Sequence, residues 1–293
     1  MKRELFILVM IIPVLGPVWT QDLPAVKPEP VTQEFSYVLA DVSFISDAVF
    51  MGRRDTVPAP YLMPSLGYYH KSGAFADASF SYLISQDDAR VDLAVLTAGI
   101  IFGKGRMKGT IAGTGYFFNE ASYNVRSETV GNLTGLVSYT WGTIESSLQA
   151  MTYFNRAGDL DIFTGFTLGK ALGLKNKTWV FRPTASVFAG TQNYYEAYYN
   201  TSRLGNRKSS GRGNNLNAAS TTALVRMEEV TKFKLLNLEL ALPVFFFKGQ
   251  FICSATPSLA LPQRPAKITG TDIEYAEDLK PSFYFMTGVS YWF

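Results

Sequence analysis

The sequence predicts an all-β chain closed into a transmembrane antiparallel β-barrel of about 12 strands. Three observations predict it. Apolar and polar residues alternate with period two in segment after segment. Beyond the N-terminus, no stretch stays apolar for the ~18 residues that a spanning helix needs. The connections alternate between tight turns and longer loops, which gives a barrel one short-turn rim and one long-loop rim.

Composition narrows the field first. The chain has 293 residues, 27 Lys+Arg against 24 Asp+Glu, and a formal charge of +3. That balance excludes a nucleic-acid binder driven by electrostatics. One Cys and one His exclude a disulfide framework, a Cys-rich zinc site and a multi-His metal site. A hydrophobic content of 47% excludes a disordered chain.

The N-terminus reads as a targeting segment. Lys2 and Arg3 precede the apolar run Leu5 to Leu15, which Gly16 and Pro17 break. This is the order of a secretory signal peptide, residues 1–21, with cleavage near Thr20 or Gln21. The run is too short for a membrane anchor. Residues 22–34 carry Pro24, Pro28 and Pro30 and read as an extended periplasmic leader. Residues 35–293 are the barrel.

The alternation is explicit. In 35–51, Val38, Ala40, Val42, Phe44, Ala48 and Phe50 share one face, while Asp41, Ser43 and Asp47 share the other. In 74–84, Ala76, Ala78, Phe80 and Tyr82 oppose Asp77, Ser79 and Ser81. In 143–154, Ile144, Leu148, Ala150 and Phe154 oppose Glu145 and Ser147. In 159–171, Leu160, Ile162, Phe166 and Leu168 oppose Asp161 and Thr167. In 229–246, Leu236, Leu238, Leu240 and Leu242 oppose Asn237 and Glu239. Further strands are expected at 60–70, 90–103, 106–119, 131–142, 178–197, 249–261 and 281–293. Pro64, Pro183 and Pro243 fall inside expected strands, so counts of ten or fourteen stay open. A soluble sandwich also alternates, but its exposed faces would be richer in Lys and Glu than these Ser-, Thr- and Gly-bearing faces.

The last strand carries a resemblance. Phe283, Phe285, Val289, Tyr291 and Phe293 lie on one face, and Phe293 ends the chain. A terminal strand of alternating aromatics ending in Phe resembles the assembly signal of Gram-negative outer-membrane β-barrel proteins. The resemblance implies export to the outer membrane, with its lipid and the barrel-assembly machinery as partners. A second similarity runs through Ser46-Asp47-Ala48-Val49-Phe50-Met51-Gly52, Pro60 and Gly67-Tyr68-Tyr69-His70-Lys71-Ser72-Gly73. It resembles the opening of a functionally uncharacterised group of small, porin-like outer-membrane barrels, with Met51 where an Arg is expected. It implies no activity.

Twelve strands make a lumen between a side-chain-filled barrel and a wide channel. The leading expectation is a narrow pore for passive passage of small solutes. Asp41, Asp47, Asp77, Asp92, Glu145, Asp161 and Glu239 are expected to face inward, against Lys108 and Arg182, which would favour cations. The competing expectation is that Arg182 and Lys108 neutralise two of these carboxylates and that the rest sit near the rims. A non-conducting structural or binding barrel, with a plugged lumen and a functional external loop at 198–228, is the alternative. Arg203, Arg207, Lys208 and Arg212 in that loop suit lipopolysaccharide phosphate or an inward plug. An enzyme is not expected: the lone His70 sits at a tight turn on the rim opposite the outer loops, with Ser72 two residues on. Tyr194, Tyr195, Tyr198 and Tyr199 are expected in an aromatic girdle, and Cys253 on the lipid face. No cofactor is expected, because no Gly-rich segment precedes a helix. Oligomeric state stays open.

Overall fold

Alternation at period two dictates extended chain, and the apolar side of each strand needs a neighbour or lipid. A computed structural model describes residues 35–293 except 56, 87, 174–177, 199, 201–225, 228–229 and 270–273. The first strands are β1 (Tyr37–Ile45), β2 (Tyr61–Tyr69), β3 (Ala74–Leu83), β4 (Arg90–Lys104), β5 (Met107–Phe118) and β6 (Thr129–Trp141). Then come β7 (Ile144–Asn155), β8 (Leu160–Lys170), β9 (Leu172–Gly173), β10 (Trp179–Phe181) and β11 (Thr184–Gly190). A short helix α1 (Asn193–Tyr198) is followed by β12 (Arg226–Met227), β13 (Lys234–Ala241), β14 (Val244–Lys248) and β15 (Phe251–Pro262). The chain ends with β16 (Lys267–Thr269), β17 (Glu274–Ala276) and β18 (Ser282–Trp292).

The wall is antiparallel and closed. The order is β13-β11-β8-β7-β6-β5-β4-β3-β2-β1-β18-β15, and β15 pairs back to β13. That makes twelve strands with no free edge. The short pieces β9, β10 and β14 continue β8, β11 and β13 toward the rim that carries the chain termini. Ala241 faces Ser258 and Val244 faces Ala255, so β13 and β14 share one register. Thr184 faces Ala241 and Phe181 faces Val244, so β10 and β11 do too.

Prolines make these interruptions. Pro183 separates β10 from β11, and Pro243 separates β13 from β14. Each lacks an N–H, but its carbonyl still accepts: Lys170 N–H donates to Pro183 (3.1 Å) and Arg182 N–H to Pro243 (2.8 Å). On the next strand, Pro257 accepts from Leu242 N–H at 3.0 Å. Prolines on three consecutive strands thus lie at one level. They nick strands without removing or adding one, which excludes ten and fourteen.

The outward face is apolar around the ring, including Leu66, Leu96, Ile111, Leu133, Leu148 and Phe166. An apolar belt of this extent faces lipid. Trp141, 64% exposed, and Trp179 stand outward near the terminal rim. Phe283, Phe285, Val289 and Phe293 also point outward, with Tyr291 half-buried beside Phe251 at 4.8 Å between ring centroids. Cys253 is on the outward side as well, paired with Val289 and Phe246 and only partly buried.

Three expectations fail. The expected strand 178–197 stops at Gly190, and Asn193–Tyr198 is helical. Tyr194, Tyr195 and Tyr198 are buried on α1 and form no girdle, while Tyr199 lies outside the described residues. Leu236 is buried instead of facing lipid. The β11–β13 register shifts at Phe188/Ala189, and the bulge turns Leu236 inward.

Candidate functional site

The loop-rim half of the barrel is filled by three segments folded inward: 46–59, 119–128 and α1. Segment 46–59 reaches across the lumen. Phe50 lies 5.6 Å from Tyr153 on β7, 5.5 Å from Phe163 on β8 and 5.1 Å from Tyr194 on α1, between ring centroids. Its tip is a tight turn in which Phe50 and Arg53 exchange backbone hydrogen bonds, both at 2.8 Å. Met51 (φ 49°) and Gly52 (φ 77°) occupy the left-handed positions that such a turn demands. A Cβ on Gly52 would stand 2.7 Å from the Pro262 side chain, so the tip meets the wall there.

Three of the expected inward carboxylates tether these segments. Asp47 accepts the N–H groups of Ala48 (2.9 Å) and Ala59 (3.0 Å) and pairs with Arg54 (2.6 Å), which closes segment 46–59. Asp92 accepts the Tyr61 hydroxyl (2.5 Å), the Ser122 hydroxyl (2.6 Å) and Arg90 Nε (3.1 Å), which holds segment 119–128. Asp161 accepts the N–H groups of Asn193 (2.8 Å) and Tyr194 (2.7 Å), with Thr191 (2.6 Å) and Asn155 (2.7 Å) beside them. It satisfies free N–H groups at the start of α1. The Tyr198 hydroxyl then joins all three segments, donating to Asp55 and to the Tyr123 carbonyl. Burial pushes the Tyr194 hydroxyl well above its ordinary pKa.

The other charged residues lie deeper. Glu145 and Arg182 form a buried ion pair near the terminal rim, with Lys108 within electrostatic reach. Asp41 accepts the Ser43 and Ser290 hydroxyls, both at 2.5 Å. Glu239 accepts Asn237 Nδ2 at 3.3 Å. Asp41, Asp77 and Glu239 are buried on the inner wall, and none has an ion pair among the described residues. Tyr37, Tyr69 and Phe75 stack below them, at 4.9 Å and 5.6 Å between centroids.

His70 and Ser72 are in contact. Nδ1 accepts the Ser72 N–H at 3.2 Å and lies 2.8 Å from Oγ. A ring nitrogen engaged by the backbone closes the turn 70–73. Arg203, Arg207, Lys208 and Arg212 lie outside the described residues. Three residues escaped the sequence reading: Arg53 and Arg126, both buried in the filled mouth, and Glu277, which pairs with Arg53 at 3.2 Å. Apolar residues directly before an arginine, as in Phe50-Met51-Gly52-Arg53 and Val125-Arg126, were the available signal.

A closed antiparallel ring with an apolar outside and a polar, charged inside defines an outer-membrane-type β-barrel protein. No family model matches the sequence, and neither does any curated protein. Solved structures of similar shape include the KdgM porin, 6% identical, covering 86% of this chain and 98% of the porin, with TM-score 0.47. The NanC porin is 8% identical, with coverage of 87% and 98% and TM-score 0.47. LpxR from Salmonella typhimurium is 11% identical, with coverage of 87% and 100% and TM-score 0.42. At these values the likeness assigns no activity, and the twelve-strand closure rests on the chain's own pairing.

Proposed function

We propose that this protein is a narrow pore of the Gram-negative outer membrane, favouring small cations and held shut at its loop rim by the three in-folded segments. It reaches that membrane through its signal peptide, and its terminal strand engages the barrel-assembly machinery. It performs no catalysis. The carrying observation is the inner wall below the mouth. Asp41, Asp77 and Glu239 face inward without a cationic partner among the described residues, while Arg182 is neutralised by Glu145. Unmatched carboxylates on a lumen wall lower the energy of a passing cation.

The test is single-channel recording of refolded protein in a planar bilayer under a KCl gradient. The native barrel should conduct rarely and with a cation-selective reversal potential. Phe50→Ala or Ser122→Ala, which loosen the mouth, should raise open time. Asp41→Asn with Asp77→Asn should weaken selectivity. An anion-selective potential would sink the charge reading. Silence from every heat-modifiable, folded variant would favour the second reading, which the depth of the filled mouth supports. In that reading the barrel does not conduct and instead displays the loop 198–228 to lipopolysaccharide or another surface ligand.

A further inference from the structure

Among the described residues three arginines are buried inside the barrel, and only two of them have a carboxylate partner. Arg182 pairs with Glu145. Arg53 pairs with Glu277 at 3.2 Å and donates to the Arg264 carbonyl at 3.2 Å. Arg126 is 2% exposed and has no carboxylate partner among the described residues. Its Nη1 has no hydrogen-bond partner. Its guanidinium lies over the rings of Phe50 (4.8 Å) and Tyr116 (5.2 Å). The Tyr116 and Tyr153 hydroxyls also interact with the guanidinium, but they are neutral groups and supply no counter-charge.

The backbone that carries Arg126 is held in place. Arg126 N–H donates to Asn124 Oδ1 at 3.0 Å, and Thr129 N–H to the Arg126 carbonyl at 2.8 Å. The charge is also permanent. A buried carboxylic acid can be neutral, but a guanidinium cannot lose its proton. Its burial therefore calls for a counter-charge.

A second buried donor stands nearby. The Tyr194 hydroxyl has no partner, its ring packs on Phe50, and it is within electrostatic reach of Arg126. The hydroxyl of Ser127, the next residue, is also buried without a partner. Donors gathered around one fixed positive charge, with no anionic acceptor among the described residues, form a site for an oxyanion.

We propose that the filled mouth of the barrel binds a small soluble oxyanion, a carboxylate or phosphate, on the edge of Arg126 with the Tyr194 hydroxyl as second donor. The bound anion completes the mouth by supplying the missing negative charge. The site does not depend on whether the barrel conducts.

The test is thermal unfolding of the barrel in phosphatidylcholine vesicles, followed by heat-modifiable gel mobility. Sodium acetate and sodium phosphate are titrated against sodium chloride at equal ionic strength. The native barrel should gain stability saturably with acetate or phosphate and not with chloride, as linkage requires. Arg126→Gln should lose that response. Tyr194→Phe keeps the ring and the fold, and should need about tenfold more anion, the loss expected for one hydrogen bond to a charged group. No response beyond chloride in the native barrel would overturn the site, leaving Arg126 to water. So would an undiminished response in both variants. Stabilisation only when anionic lipid is added to the vesicles would make the occupant a lipid headgroup and overturn the soluble anion.

Discussion

At the scale of single residues, the inward carboxylates divide by task. Asp47, Asp92 and Asp161 organise loops, Glu145 matches Arg182, and Asp41, Asp77 and Glu239 are buried on the inner wall below the mouth. All seven are buried, but Asp47 lies past the end of β1, where the in-folded segment and not the strand period sets its place. The alternation could not distribute them: Asp92 and Asp161 take partners from segments distant in sequence, Ser122 and Tyr194, whereas Asp47 takes Arg54 and Ala59 of its own segment. The Glu145–Arg182 pair carries a clear expectation. Glu145→Gln leaves a buried guanidinium without its counter-charge and should cost roughly 3–5 kcal/mol. Replacing both residues by Met should recover most of that loss. Urea titration in lipid vesicles would measure both, and equal stability of the single and double variants would refute the account.

At the scale of elements, the wall was legible and the mouth was not. Each strand shows its lipid face in its own residues, as in β8 with Leu160, Ile162, Phe166 and Leu168. The in-folded segments carry no such period. Phe50 reads as one more outward residue of β1 until the turn at Met51 and Gly52 reverses the chain. The tyrosines of α1 read as strand-end aromatics because six residues are too few to show a helical repeat. The wall also yields a depth rule. Leu148 lies within the span of β7, and Ile144 at its end. Leu148→Arg should cost roughly 2–4 kcal/mol and Ile144→Arg at most about 1 kcal/mol. Equal costs in the same urea titration would argue against a lipid-facing β7.

At the scale of the whole molecule, closure decides which chemistry can reach which surface. Cys253 is on the outward side of β15, in the apolar belt. In intact vesicles an apolar maleimide should label it quickly and a sulfonated maleimide should fail to do so. After unfolding in detergent and urea, both should react. Rapid labelling by the charged reagent in vesicles would place Cys253 in water and undo the orientation of β15.

A ring without edges need not be equally strong along its circumference. Pro183, Pro243 and Pro257 remove an amide proton from each of three successive staves at the same height. Elsewhere the wall is stitched without a break of this kind on neighbouring strands. The barrel therefore carries a perforation line near its terminal rim. Amides bordering it, those of Arg182 and Leu242 among them, should exchange with heavy water ahead of the rest of the wall. Under tension the cylinder would tear there first.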